Sequence, residues 1–193
     1  MKKLIFDIET KTALFDPETP TLLDMEISVI SMHDSETDRY YSFQEEQFNE
    51  MWSFFEEADM FITFNGNYFD IPLLQKYAPF DLNTTYHLDV FAKVEKSIKK
   101  KIGLDAIAST TLGTSKSANG LQAVAWWNSG EIDKIIKYCE QDVKVTKDVY
   151  EYALKNNKLY YIDRKTQEKT EIPLNTSFWE KEKKGEPKTL TLF

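Results

Sequence analysis

The order of the apolar patterns in the first third of the chain constrains the fold more than any other feature. Residues 3–9 are typical of a strand, and residues 28–34 and 40–44 of two more strands joined by a polar turn. Residues 47–58 then carry apolar side chains at helical spacing, and a short apolar strand follows at 60–64. A meander followed by a helix and another strand predicts a crossover onto one mixed sheet, which belongs to the layered α/β class.

Helical spacing dominates the chain from there to residue 156. In chain order, the apolar pattern predicts a helix at 71–78, a short strand or strand–helix junction at 86–91, and helices at 103–112, 119–128 and 131–156. Two strand-like runs around a polar turn then predict a hairpin. We therefore expect one domain at residues 1–156, a C-terminal hairpin at 157–178 that packs on it, and a mobile charged tail at 179–193.

Length and composition fit one packed domain. The chain has 193 residues, of which 41% are hydrophobic, and this excludes a mainly disordered protein. The formal charge of −8 argues against a nucleic-acid partner, although carboxylates that hold cations also count in that charge. The only arginines are Arg39 and Arg164, which argues against sequence-specific base readout, because arginine makes the commonest contact to guanine.

The sequence also bounds the compartment and the ligand chemistry. No apolar stretch reaches the length of a membrane span, and Asp7 and Glu9 interrupt a signal-peptide pattern, so we expect a cytoplasmic, intracellular protein without a membrane partner. The single cysteine, Cys139, cannot form an internal disulfide and has no thiol or histidine neighbour at metal-ligand spacing. We expect it to be a small buried residue on a helix.

Two carboxylates occupy the end of the first predicted strand. Because side chains alternate along a strand, Asp7 and Glu9 lie on one face, opposite Phe6 and Ile8. Carboxylates this close repel each other unless something neutralises them. An exposed strand end is the ordinary explanation, and the pair alone does not decide between that and a cation site.

Two later segments carry further acidic residues. Asp70 follows a strand and a tight Asn65–Gly66 turn, at the start of a predicted helix, where a helix N-cap is the ordinary explanation. Tyr138 and Asp142 are four residues apart, so they share one face of a helix beside its apolar stripe. A solvated helix face explains that pair equally well.

Together and in this order, the three segments resemble the exonuclease motifs of the DnaQ-like, or DEDD, 3′→5′ exonucleases of the ribonuclease H-like superfamily. The residues that match are Asp7 and Glu9 in FDIET, Asn65, Phe69 and Asp70 in N-x-x-x-F-D, and Tyr138 and Asp142 in Y-x-x-x-D. The stretches HLDVF and LDAIASTTLG are similar to the stand-alone, family-B-polymerase-like branch. The resemblance covers residues 1–156, and a tyrosine before the last aspartate is similar to the tyrosine subclass, DEDDy.

The resemblance implies a ribonuclease H-like fold and phosphodiester hydrolysis with two divalent ions, Mg²⁺ or Mn²⁺, for which carboxylates are suitable hard ligands. By carry-over from the family, Asp7 would bridge both ions, Glu9 and Asp142 would hold the ion that activates water, and Asp70 would support the second ion. Tyr138 would orient the attacking water, because a tyrosine with the ordinary pKa of about 10 is a poor base at neutral pH.

Several residues near these motifs have both a functional and a structural explanation. The resemblance implies that Asn65, Phe69 and Lys116 contact nucleic acid, whereas a turn residue, a core ring and a surface lysine are the ordinary explanations. Asp89 is explained by a helix cap and stays outside the metal set. The basic run KSIKKK at 96–101 would bind nucleic-acid phosphates and make nucleic-acid binding salt-dependent, and a solvated helix end is the alternative explanation.

The last five residues, TLTLF, resemble the short motif by which bacterial replication and repair proteins bind the sliding clamp. Leu190, Leu192 and Phe193 match that motif, and Thr189 replaces its glutamine. The alternative is that this apolar end packs on its own domain.

The sequence therefore predicts a 3′→5′ exonuclease that shortens single-stranded DNA in replication, repair or recombination. An exoribonuclease of the same fold is the alternative within the enzyme class. A non-catalytic module that binds nucleic acid or a partner protein is the alternative outside it, although the intact set of five motif residues argues against loss of catalysis.

Overall fold

The structure is a computed structural model that describes residues 1–13, 16, 21–114 and 120–180. Its strands and helices follow the predicted order closely. They are, in chain order, β1 (Lys3–Thr10), β2 (Ile27–Asp34), β3 (Arg39–Phe43), α1 (Phe48–Glu57), β4 (Met60–Thr63), α2 (Asp70–Leu74), β5 (Tyr86–Asp89), α3 (Val90–Ile98), α4 (Leu104–Leu112), α5 (Gly120–Asn128), α6 (Ile132–Asn156), β6 (Lys158–Ile162) and β7 (Lys169–Pro173).

Five strands form one mixed sheet in the order β3-β2-β1-β4-β5. Strands β1, β2 and β3 pair antiparallel as a meander, whereas β4 pairs parallel with β1 and β5 pairs parallel with β4. The predicted α/β class, with a mixed sheet flanked by helices, is confirmed. Because the parallel strands β1, β4 and β5 end at the same edge of the sheet, the loops that follow them meet there.

The two faces of β1 bury different layers. Leu4, Phe6 and Ile8 belong to a core cluster that also contains buried residues of α1 and α2. Ile5 points the other way, into a cluster with residues of α3, α4 and α6. Since alternate residues share a face, Asp7 lies on the same side as Ile5, the side on which α6 packs across β1 and β2.

The C-terminal strands form a separate two-stranded hairpin, in which Leu159 pairs with Ile172. Its buried side chains join the cluster that contains α6 residues such as Val149 and Tyr150. After the hairpin, the ring of Trp179 stacks on Tyr150, with ring centroids 6.1 Å apart. The hairpin and the segment after it therefore pack against the same helix that packs across β1.

Two elements differ from the sequence prediction. The helix predicted at 71–78 ends at Leu74 and passes into turns, in which the N–H groups of Lys76 and Tyr77 donate to carbonyls three residues back. The Gln75 side chain accepts from the Leu82 N–H and donates to the Phe80 carbonyl. Strand β5 leads directly into α3, which agrees with the strand–helix junction predicted at 86–91, but the sequence did not predict that the helix continues to Ile98. Within the described residues, no helix has the length and apolarity needed to cross a membrane.

Candidate active site

Strand β1 and helix α6 together build an acidic group. One carboxylate oxygen from each of Asp7, Glu9 and Asp142 lies within 4.8 Å of the others. Glu9 and Asp142 are buried, with 8% and 4% of their surface exposed, so an exposed strand end and a solvated helix face no longer explain them. Since buried carboxylates repel each other strongly when charged, this arrangement favours a bound cation.

Cys139 fixes the helix against the strand at this point. Its buried Sγ donates a hydrogen bond to the Asp7 backbone carbonyl oxygen over 3.3 Å. Burial, with the charges of Asp7 and Glu9 next in effect, raises the pKa of the Cys139 thiol well above its ordinary value. The thiol therefore stays protonated, and the expectation of a small buried residue holds with the addition of this anchoring bond.

Asp70 is the first residue of α2 and is itself buried, with 2% exposed. The N-cap of α2 is Phe69, so a helix cap does not explain Asp70. Its Oδ1 has no hydrogen-bond partner among the residues described. Burial, and then the charge of Asp89, raises the pKa of Asp70 to about 7, while hydrogen bonds from the backbone of Asp70 and Ile8 oppose the increase.

The loop between β4 and α2 is held by the Asp89 carboxylate. Asp89 accepts hydrogen bonds from the backbone N–H groups of Asn65 at 2.9 Å and Asn67 at 3.1 Å, and it also caps α3 by accepting from Ala92. Asn65 is left-handed, with φ 73°, a conformation that asparagine tolerates better than most residues. The predicted cap at Asp89 is present, and the same side chain sets the path of the loop that leads to Asp70.

Gly66 is required in this loop because of a close approach. A Cβ there would lie 2.1 Å from the Thr63 hydroxyl oxygen. That hydroxyl accepts from the Gly66 N–H at 3.1 Å and hydrogen-bonds His87 Nε2 at 2.8 Å. The turn predicted at Asn65–Gly66 is therefore fixed from two sides, by Thr63 and by Asp89.

These elements open onto one cleft, here called the carboxylate cleft, of about 520 Å³. Its lining includes all of the described residues that the sequence proposed for the site: Asp7, Glu9, Asn65, Phe69, Asp70, Tyr138 and Asp142. Asp70 lines the cleft but does not belong to the group of three whose oxygens lie within 4.8 Å. Lys116, Leu190, Leu192 and Phe193 fall outside the described residues.

The sequence did not identify the apolar wall that α5 adds to the carboxylate cleft. Leu121 and Val124 line the cleft, and 70% of the Leu121 side chain is exposed. A second cleft shares four lining residues with the carboxylate cleft, namely Asp7, Phe64, Asn65 and Asp142. The sequence contained one signal for this wall. Leu121 is an apolar residue on the predicted helix 119–128 that lies outside the buried face of that helix.

The family of this chain follows from its match to a family model. A family model described as RNase_H superfamily matches residues 4–154. The chain belongs to the RNase H superfamily. The matched range runs from β1 almost to the end of α6 and contains every residue of the acidic group. Membership in the RNase H superfamily supports a nucleolytic enzyme, and the acidic group fits a metal site.

A solved structure has the same fold. The family B DNA polymerase from the hyperthermophilic archaeon Pyrobaculum calidifontis is similar, with a TM-score of 0.63 and 18% sequence identity. The similarity covers 79% of this chain and 24% of the polymerase chain, so this chain corresponds to a minor part of that protein. A comparison with curated proteins finds no match. The expected ribonuclease H-like fold is confirmed by the family match and by the similarity to the polymerase structure.

Proposed function

We propose that this chain is a metal-dependent 3′→5′ exonuclease of the DnaQ-like tyrosine type, DEDDy, acting on single-stranded DNA ends. The observation that carries the proposal is the group of Asp7, Glu9 and Asp142, whose oxygens lie within 4.8 Å of one another. Asp70 and Tyr138 line the same cleft. An enzyme of this kind would serve replication proofreading, repair or recombination.

The donor set fits two hard divalent ions, Mg²⁺ or Mn²⁺. Four carboxylates provide only oxygen ligands, Asp70 Oδ1 is buried and has no hydrogen-bond partner in the described part of the chain, and the protonated Cys139 offers no soft thiolate. Asp7 would contact both ions, Glu9 and Asp142 would hold one, and Asp70 would support the other. When bound, the ions would supply water activation and charge neutralisation at the phosphate.

The remaining cleft residues would position the reactants. Tyr138 lies one helical turn before Asp142, so its hydroxyl would orient the attacking water beside the carboxylates. We assign Phe69 to stacking on the terminal base and Asn65 to hydrogen bonding with the terminal nucleotide. The cleft volume of about 520 Å³ falls within the range of roughly 300–1,000 Å³ common for small-ligand sites.

Digestion of 5′-labelled single-stranded DNA tests this function. The wild type should shorten the strand from its 3′ end in Mg²⁺ or Mn²⁺ and leave it intact in EDTA. Asp7→Asn should lower kcat by more than about 100-fold, since even outer-shell partners of a metal cost up to that much. Asp133→Asn, which changes an exposed carboxylate in the first turn of α6, serves as the matched control with unchanged activity.

Two further substrates separate the alternatives. Labelled RNA of the same sequence identifies an exoribonuclease if it is degraded much faster than the DNA. Circular single-stranded DNA should resist the enzyme, because it has no 3′ end. If the wild type binds both linear strands and degrades neither with metal present, the exonuclease is refuted and the non-catalytic binding module takes its place.

We also propose that the C-terminal TLTLF binds a sliding clamp through Leu190, Leu192 and Phe193. The support is the sequence resemblance, since residues 181–193 lie outside the described part of the chain. Deleting residues 189–193 should abolish retention on immobilised clamp and leave hydrolysis of free DNA unchanged. Equal retention of the full chain and the shortened chain would refute clamp binding.

A further inference from the structure

Two more clefts extend the carboxylate cleft. The first, here called the aromatic cleft, has a volume of about 510 Å³, and its lining includes Asp7, Asp142, Phe64, Phe91 and Arg164. The second, the basic cleft, has a volume of about 440 Å³ and is lined by Lys100, Lys101, Arg164 and Lys165. Gly103, Ala106 and Arg164 line both, so the two clefts adjoin. A continuous path therefore leads from the acidic group to a basic surface.

The β6–β7 hairpin contributes the cations at the far end of this path. Asp163 accepts hydrogen bonds from the backbone N–H groups of Lys165 and Thr166, which fixes the hairpin turn. Lys100 holds the turn in place, because its Nζ donates to Asp163 at 2.7 Å and to the Tyr161 hydroxyl at 3.1 Å. These bonds raise the pKa of Lys100 to about 12.

Three cations beside this anchor remain available to a ligand. Among the residues that the structure describes, Lys101, Arg164 and Lys165 form no ion pair with an acidic side chain, and all three are exposed. Asp105 and Arg164 both line the aromatic cleft, but among the described residues they form no ion pair with each other. In a chain with a formal charge of −8, three uncompensated cations on one surface attract a polyanion.

The aromatic cleft provides a surface for bases. The rings of Phe64 and Phe91 meet edge to face with centroids 5.6 Å apart. Both rings are partly exposed, and they line the same cleft as Asp7, Asp142 and Arg164. Aromatic side chains beside a cationic groove are the usual means of holding single-stranded nucleic acid without reading its sequence.

We propose that the upstream part of the substrate strand leaves the acidic site through the aromatic cleft and binds Lys101, Arg164 and Lys165 by its phosphates. This inference rests on the proposed exonuclease function and adds the direction of the strand and the role of the hairpin. Arg164 and Lys165 lie beyond residues 4–154, so the family match does not include them. The basic run at 96–101 thus acts with a hairpin turn that lies far away in sequence.

Substrate length tests the proposal, because the dinucleotide dT2 contains only the scissile phosphate and has no upstream phosphate for Lys101, Arg164 and Lys165 to bind. We compare kcat/KM for single-stranded dT20 and dT2 in the wild type and in Arg164→Gln/Lys165→Gln. The ratio of the two values should fall about tenfold in the variant. The dependence of log kcat/KM for dT20 on log salt should become shallower by about 1.4, the value for two lost contacts to a single strand.

Lys155→Gln/Lys169→Gln is the matched control, since it removes the same charge from exposed positions that line neither cleft. Its length ratio and salt dependence should equal those of the wild type. An unchanged ratio in Arg164→Gln/Lys165→Gln, or the same fall in the control, would overturn the proposal.

A binding experiment separates this proposal from the proposed function. Fluorescein-labelled dT20 is titrated with the Asp7→Ala protein in EDTA, with and without the two hairpin substitutions, and the Kd is read from anisotropy. The substitutions should raise the Kd about tenfold even if the wild type cleaves no strand at all. Equal Kd values would refute the phosphate-binding role whatever the activity measurements show.

Discussion

At the scale of single residues, the negative charge of Asp70 is costly to the folded chain, because this carboxyl group is buried. Burial raises the pKa of Asp70 to about 7 from an ordinary value of 3.8. A carboxyl group with a raised folded pKa contributes stability that is fully present below its unfolded pKa and lost as the pH rises through the folded pKa. Above pH 7, and without a cation, the ionised Asp70 therefore destabilises the fold.

Asp70→Asn should consequently be more stable than the wild type at pH 8 in EDTA. We expect its Tm to be higher by about 3 °C or more, since 1 kcal/mol corresponds to about 2–4 °C in a chain of this length. The advantage should disappear near pH 4, where the wild-type carboxyl is protonated. Adding Mg²⁺ should raise the Tm of the wild type more than that of Asp70→Asn.

Differential scanning calorimetry in EDTA and in Mg²⁺ measures both effects. Asp133→Asn changes an exposed acid by the same charge and should show neither. A wild type that is at least as stable as Asp70→Asn at pH 8 in EDTA would contradict the assigned cost of this charge.

At the scale of secondary-structure elements, local patterns predicted strand β1, helix α6 and the turn at Asn65–Gly66, and the resemblance to the exonuclease motifs grouped their residues into one candidate site. Strand β1 and helix α6 carry the acidic group, and the turn leads to Asp70. The early end of α2 was not predicted, because the apolar spacing of residues 71–78 does not distinguish a helix from the turns that follow Leu74. The sequence also did not place Arg164 near the basic run, since only tertiary packing brings both to one cleft.

Asp89 shows how one element positions another. Its cap on α3 is a local interaction, but its bonds to the N–H groups of Asn65 and Asn67 reach the loop after β4. Asp89→Asn should turn an amide N–H toward one of these donors, leaving a partly buried group unsatisfied at a cost of about 1–3 kcal/mol. The loop that carries Asp70 should loosen, so both Tm and kcat/KM on dT20 should fall.

Asp81→Asn is the control for Asp89→Asn. Asp81 caps the short 3₁₀ helix Leu82–Thr84 by accepting from the Asn83 N–H, and it is exposed. Its substitution makes the same Asp-to-Asn change at a cap of the same chemical type without touching the loop after β4. Activity should therefore survive in Asp81→Asn, and an equally small effect of both substitutions on activity would refute the positioning role of Asp89.

At the scale of the whole molecule, a bonded group joins the C-terminal segment to the first strand and the long helix. Glu180 accepts hydrogen bonds from Lys3 Nζ at 2.8 Å and from the Tyr150 hydroxyl at 2.7 Å. Trp179 stacks on the same tyrosine ring. Strand β1 and helix α6 carry the acidic group. This junction, at the opposite end of β1, helps to fix the position of α6 against β1.

The junction should make stability depend on pH. The hydrogen bond from Lys3 is the largest cause that lowers the pKa of Glu180 below its ordinary value. A lowered folded pKa contributes stability that is present above the unfolded pKa and lost as the pH falls through the folded pKa. Glu180→Gln should therefore lower the Tm at pH 7 by no more than about 4 °C, because the pair is partly exposed, and the difference should shrink as the pH falls below the ordinary glutamate pKa of 4.5.

Thermal unfolding between pH 3 and pH 8 measures the effect of Glu180→Gln. Glu46→Gln removes the charge of an exposed glutamate in the short 3₁₀ helix before α1 and should leave the pH profile of the wild type unchanged. Lys3→Gln should reproduce the behaviour of Glu180→Gln, because it removes the other partner of the bond. If the Tm difference between Glu180→Gln and the wild type were as large at pH 3 as at pH 7, lost packing and not the lost charge would explain it, and the junction would not be electrostatic.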